Sequence, residues 1–141
     1  VVVKGFFSLT YIRNPGAAFG VFADSTDGFR TVFFLVISSL AILLLAYFFL
    51  RAPREDSVSL IAIALLFGGA LGNLIDRIRF GEVIDFLDFY IGAYHWPAFN
   101  VADSAITVGI SLLILDAFIK RQIQTDPPSD PFIQERFKRN G

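Results

Sequence analysis

Uncharged apolar runs alternate along this chain with short polar clusters, and the lengths of the runs predict its elements. Thr31–Leu50 carries no charge over about 20 residues, which at about 1.5 Å per residue is enough to cross a hydrocarbon core. Val58–Ile75 is a second such run. Val101–Ile119 is a third, broken only by Asp103 near its start and Asp116 near its end. With their flanks these runs predict membrane spans over 29–51, 57–79 and 100–120. Pro53 stops the first, and Asp56 or Ser57 is placed to cap the second.

The connecting stretches read differently. F-F-S-L-T-Y-I-R alternates like a short strand, N-P-G at Asn14–Gly16 is a turn signal, and the A-A-F-G-V-F that follows predicts a second short strand or a surface loop. Residues 80–99 predict a loop rich in Phe, Tyr and Trp, the aromatics favoured at a lipid headgroup boundary. From Gln122 onward the chain is polar and broken by proline, which predicts a weakly ordered tail over 121–141. The pattern as a whole predicts an all-α membrane protein, with one membrane-embedded domain over 1–120 whose residues 1–28 form a surface segment.

Composition strengthens this class. Of the 141 residues 55% are hydrophobic and 16% aromatic, only 18% are charged, and the mean hydropathy is +0.62. The formal net charge of -1, with basic residues scattered along the chain, gives no reason to expect a nucleic-acid partner. The absence of Cys excludes a disulfide framework and a thiolate nucleophile, and a lone His excludes a multi-histidine metal site within one chain. The opening Val-Val-Val-Lys-Gly-Phe-Phe lacks the layout of a signal peptide and begins without Met, so the chain is expected to start partway into a longer protein. The hairpin at 51–57 and the tail hold somewhat more Lys and Arg than the opening segment and the 80–99 stretch, which makes the former side cytoplasmic.

The polar positions inside the apolar background then matter most, because lipid makes them costly. Asp85 and Asp103 fall at the same membrane border. Two carboxylates in a partly dehydrated site cannot both ionise cheaply; one keeps a proton and the other loses it, an acid and base able to activate water against an amide without a metal or cofactor. Each residue also has a plainer reading. Asn100 followed three residues later by Asp103 fits a capping box, Asp116 and Lys120 fit an i,i+4 ion pair, and Thr107 and Ser111 fit hydroxyls bonded to the preceding turn. Ala64, Gly68 and Gly72 predict a close helix contact, and Asn73 and Arg77 share a face with Gly69. Ser104 with His95 as base is a weaker alternative nucleophile, since His95 lies among aromatics.

Four stretches go further than spacing. N-P-G-A-A-F at 14–19, G-N-L-I-D-R at 72–77, V-I-D-F at 83–86 and F-N-V-A-D-S-A-I at 99–106 resemble, in wording, order and spacing, the sequence boxes of lipoprotein signal peptidase, also called signal peptidase II. The resemblance runs from about Gly5 to Ile119. It implies a bacterial inner-membrane aspartic endopeptidase that acts externally on prolipoproteins, cutting before a cysteine that carries diacylglycerol. It also implies a catalytic pair at Asp85 and Asp103, supporting or substrate-contacting roles for Asn14, Asn73, Arg77 and Asn100, and a structural role for Asp76 beside a neighbouring Arg. By the same resemblance a small external β-cradle forms over Gly5–Asp24, the aromatic 88–98 loop covers the site as a lid, and a fourth span precedes residue 1. No cofactor or metal is implied; the expected partners are membrane lipid and prolipoproteins with a lipid-modified cysteine, and the chain is expected to act as a monomer. The competing reading is a small membrane transport or scaffold subunit with Asn73, Asp76, Asp103 and Thr107 lining an ion path, although such a path calls for acids nearer the midplane.

Overall fold

The computed structural model describes residues 1–16, 26–125, 135 and 139. The expected second strand or loop after Gly16, the remainder of the cradle segment to Asp24, and the tail beyond Thr125 apart from residues 135 and 139 lie outside the described residues. Three helices and a small sheet make up the rest: β1 (Phe7–Asn14), α1 (Asp27–Arg51), α2 (Ser57–Phe80), β2 (Val83–Ile91), β3 (Tyr94–His95) and α3 (Val101–Thr125).

α1 and α2 begin where a side chain accepts from a free backbone N–H and end where a backbone N–H turns back onto the last helical turn. Thr26 caps α1 by accepting from Phe29 N at 3.4 Å, and Asp56 caps α2 by accepting from Ser59 N at 3.3 Å. α1 stops at Ala52, held extended by the following Pro53. α2 ends at Gly81, whose φ of 76° is the left-handed conformation that a glycine supplies without strain. All three helices are long and apolar enough to cross a membrane, over Gly28–Arg51, Ser57–Phe80 and Val101–Ile123. Most of their large apolar side chains are exposed, as lipid-facing surfaces require.

α2 is the central helix, packed against both α1 and α3. Its buried side is Ala62, Ile63, Leu66 and Gly69. A Cβ on Gly69 would lie 2.5 Å from the Ala102 carbonyl oxygen, and one on Gly109 of α3 would lie 2.9 Å from that of Ala62, so the two backbones are in contact across reciprocal glycines. The predicted stripe of Ala64, Gly68 and Gly72 is corrected here. Ala64 and Gly68 are exposed and a Cβ on Gly68 would meet nothing within 4 Å; only Gly72 comes near α3, 3.2 Å from Ala102 Cβ. A strict four-residue step advances about 40° around an α-helix each time and walks off the seam, whereas 62, 66, 69 and 73 alternate steps of four and three and stay on it. At the far end Lys120 Nζ lies 2.6 Å from both Asp116 Oδ2 and Asp56 Oδ2, so the anticipated i,i+4 pair also ties α3 to the start of α2.

The sheet has the antiparallel order β1-β2-β3. The loop expected over 80–99 is therefore also corrected: most of it is a hairpin that turns at Gly92, with φ 60°. Val83–Ile91 is rich in β-branched and aromatic residues, and it finds in β1 a partner some 70 residues earlier in the chain, which a reading of aromatics as a boundary belt does not supply. One irregularity interrupts the β1–β2 register between Leu9 and Ile12.

Gly69→Leu is expected to destabilise the helix pair by about 1–3 kcal/mol through overpacking at the seam. Gly68→Ala, in open space, is expected to be neutral or to stabilise by about 0.5–1 kcal/mol. Thermal unfolding in detergent micelles measures both.

Candidate active site

The sheet and the helices meet at β2, where local sequence sets the approach. After Gly81 turns the chain out of α2, the turn is clamped from three elements: Thr31 Oγ1 of α1 donates to the Gly81 carbonyl at 3.3 Å, Arg13 of β1 donates to the Phe80 carbonyl at 3.2 Å, and Asp76 of α2 accepts from Ile84 N at 3.1 Å. Arg13 also pairs with Glu82 at 3.2 Å. Asp76 thus takes the structural role expected of it by acting on the backbone of β2, while its charge also acts on the neighbouring Arg77, whose Nη1 donates to the Asn73 carbonyl at 3.3 Å.

The residue after Ile84 is Asp85, with 3% of its surface exposed. Side chains alternate along a strand, so Asp85 shares a face with Val83 and Leu87 and points at the helix ends. Asn14, at the end of β1, donates to Asp85 Oδ2 at 3.0 Å, its own Oδ1 held by Gly16 N at 2.9 Å. Asn100, just before α3 and 4% exposed, donates from Nδ2 to Asp85 Oδ1 at 3.0 Å and to Asn73 Oδ1 at 3.2 Å.

Asp103 is reached through the same residues. Its Oδ1 accepts from Asn73 Nδ2 at 2.9 Å and its Oδ2 from Asn100 N at 3.2 Å, while Asp103 N donates to Asn100 Oδ1 at 3.0 Å. The last two bonds are the reciprocal capping box read from the spacing. Capping and site-building are therefore the same geometry, since the box that starts α3 also places its carboxylate next to Asn100. Asn14, Asp85, Asn100, Asn73 and Asp103 form one continuous hydrogen-bonded network, with Arg77 bonded to the Asn73 backbone at its edge. The Arg77 guanidinium lies 5.1 Å from the centre of the Phe34 ring of α1, a contact with no signal in the sequence.

Burial pushes the Asp85 carboxyl above the usual range. The donors of Asn14 and Asn100 and the charge of Arg77 oppose this, while the charge of Asp103 adds to it. The arrangement is that of two carboxylates in different surroundings whose charges act on one another.

Other polar residues lie elsewhere. Ser104 donates to the Asn100 carbonyl at 3.1 Å, and His95 Nδ1 lies 2.9 Å from Asp88 Oδ1, so the alternative Ser104–His95 dyad does not form. Thr107 and Ser111 donate to the carbonyls of Asp103 and Thr107, both at 2.8 Å, so their hydroxyls, Thr107 of the transport reading among them, are engaged within their own helix.

The family model for signal peptidase (SPase) II matches residues 1–119. This chain belongs to the signal peptidase II family. Its sequence is 51% identical over 121 residues to a lipoprotein signal peptidase of Syntrophus aciditrophicus (strain SB), covering 86% of this chain and 75% of that relative. It is 55% identical over 113 residues to the lipoprotein signal peptidase of Desulforapulum autotrophicum, covering 80% and 70%. The fold resembles a bacterial membrane enzyme solved by the in meso method at 2.3 Å resolution, with a TM-score of 0.73 and 38% identity over 92% of this chain and 74% of that one. As a member of the signal peptidase II family the chain is a protease, and its three apolar helices make it a multi-pass membrane protein.

Two outcomes follow from this geometry. A carboxyl raised in the folded state binds its proton more readily there than when unfolded, so its stabilising contribution is present at low pH and is lost as pH rises through the folded value. The stability of the natural chain relative to Asp85→Asn is therefore expected to fall as pH is raised from the acid range toward neutrality, measured by unfolding in detergent across pH. Asp76→Ala is expected to cost about 1–3 kcal/mol by leaving the Ile84 N–H without its acceptor. Asp76→Asn, which keeps an oxygen there, should recover most of that loss in the same assay.

Proposed function

We propose that this chain is a membrane aspartic endopeptidase that removes signal peptides from diacylglyceryl-modified prolipoproteins, with Asp85 and Asp103 as its catalytic pair. The observation that carries the proposal is the bridge through Asn100, whose side chain donates to Asp85 while its backbone N–H donates to Asp103. The curated relatives bear the name lipoprotein signal peptidase, in keeping with this substrate class.

The buried Asp85, with its raised carboxyl pKa, is assigned the proton and Asp103 the role of base. Asp103 takes a proton from water as the water oxygen bonds to the scissile carbonyl carbon, and Asp85 protonates the carbonyl oxygen. Collapse of the tetrahedral intermediate breaks the C–N bond; the proton held by Asp103 passes to the departing amine, and Asp85 recovers its own from the intermediate's hydroxyl. Asn14, Asn73 and Asn100 hold the two carboxylates in place, and Arg77 braces Asn73 and adds positive charge near the pair. The site requires no metal or cofactor, and the enzyme acts as a monomer.

A substrate tethered by acyl chains presents its scissile bond close to the headgroup plane, where the ends of α2 and α3 carry these residues. Tethering also confines the substrate to two dimensions, a gain in proximity made before any side-chain contact. The distribution of Lys and Arg supports a site on the external face of the bacterial inner membrane.

Asp85→Asn and, separately, Asp103→Asn are each expected to lower prolipoprotein cleavage by roughly 100-fold or more while the protein remains folded in the membrane. Asp88→Asn, three residues away on the opposite face of β2, should retain most activity. Gel-shift assay of a lipidated prolipoprotein measures all three, and substantial cleavage by either of the first two variants would remove the two-carboxylate mechanism.

A further inference from the structure

The hydrogen-bonded network of Asn14, Asp85, Asn100, Asn73 and Asp103 takes residues from β1, β2, α2, α3 and the approach to α3, and none from α1. α1 nevertheless runs beside it. Thr31, which holds the Gly81 turn, marks the face of α1 directed at the site end, and Phe34, three residues further along, shares that face. The Phe34 ring meets the supports of the network at two separate places.

The first is the turn after β1. Gly16 has φ 86°, a left-handed conformation, and a Cβ on it would collide with Phe34 Cε2 and lie 2.7 Å from Phe34 Cζ. The ring is therefore packed directly on the Gly16 backbone. Gly16 N holds Asn14 Oδ1 at 2.9 Å, which leaves Asn14 Nδ2 to reach Asp85 Oδ2 at 3.0 Å.

The second is Arg77. Its Nη1 bonds the Asn73 carbonyl at 3.3 Å, a contact within α2, while the guanidinium carbon lies over the Phe34 ring at 5.1 Å from the centroid. A cation over an aromatic face is attracted by the ring quadrupole, more strongly where water is scarce. The charge held in this way acts on Asp103, Asp76 and Asp85.

We propose that Phe34 is a positioning residue for the cleavage reaction: one ring of α1 fixes both the turn that aims Asn14 at Asp85 and the guanidinium whose charge acts on the two carboxylates. It touches no reacting atom and works through Gly16 and Arg77. Many large apolar side chains of α1 are exposed, where an aliphatic residue would serve as well. Phe34 is half-buried, and of its two contacts here the cation is one that only an aromatic face attracts. The inference rests on the two-carboxylate reading of the site.

Two substitutions test it. Phe34→Leu removes the ring, and Phe34→cyclohexylalanine fills nearly the same space without an aromatic face. In detergent micelles each is expected to keep a cooperative thermal unfolding transition and to cleave a lipidated prolipoprotein with kcat about 10-fold lower and KM within about twofold of the natural chain's. The charge of Arg77 lowers the Asp85 carboxyl, so a guanidinium no longer held in place lets it rise. The alkaline limb of the kcat/KM profile, set by Asp85 as the acid, is therefore expected to move to higher pH in both variants. Where Phe34→Leu fails to fold, the cyclohexyl variant decides alone. Native kcat and profile in either variant, or a lowered kcat with an unmoved alkaline limb, would overturn the inference and leave Phe34 as packing alone. Asp85→Asn in the same assay separates the two readings: its inactivity confines such a failure to Phe34, whereas its cleavage would remove the two-carboxylate reading itself.

Discussion

A carboxylate held out of water at the junction of a strand and a helix bundle is the constraint on which the site depends. Removing an ionisable group from water costs several kcal/mol unless donors replace its hydration. Asp85 has two such donors, one from each flank: Asn14 from the sheet and Asn100 from the start of α3. Both are amides, which solvate a carboxylate without cancelling its charge. This leaves the Asp85 carboxyl responsive to the charge of Asp103, as a partnered arginine would not.

Asparagine suits this role because a single side chain can serve two neighbours. Asn100 accepts from Asp103 N with its oxygen and donates with its nitrogen to Asp85 and Asn73, so the cap of one helix, a residue of a second and a residue of the strand share one amide. The arrangement is possible only because α2 and α3 approach closely. With a larger residue at 69 the Ala102 backbone would be pushed away, and Asp103, one residue further on, would move out of reach of Asn73. Helix packing at the glycine seam and carboxylate placement at the helix end are thus one structural problem, solved by the absence of a side chain.

The protein separates its polar work into two ends. At one end Asp56, Asp116 and Lys120 form a local cluster that joins α2 to α3 and is satisfied within itself. At the other, the polar groups converge on Asp85 and Asp103 and are held by amides. Between them the helices are apolar apart from hydroxyls turned back onto their own carbonyls, as a hydrocarbon surrounding demands.

Run length and charge alone marked the three spans, because the bilayer imposes a minimum length that water does not. The capping box at Asn100 and Asp103 and the i,i+4 pair of Asp116 and Lys120 were equally legible, each being a contact between residues close in sequence, and the first strand was legible from its local alternation. What the chain did not disclose is what depends on distant partners. Pairing of residues 83–91 with β1 depends on a partner some 70 residues away, the hydrogen bond from Ile84 N to Asp76 on a turn, and the contact seam of α2 on where α3 packs, so none of these follows from local pattern alone. The residues of the site could be named from their wording, but that one asparagine joins the two carboxylates was decided by tertiary structure: a hydrogen bond needs atoms within about 3 Å, and only packing brings residues 14, 73, 85, 100 and 103 that close.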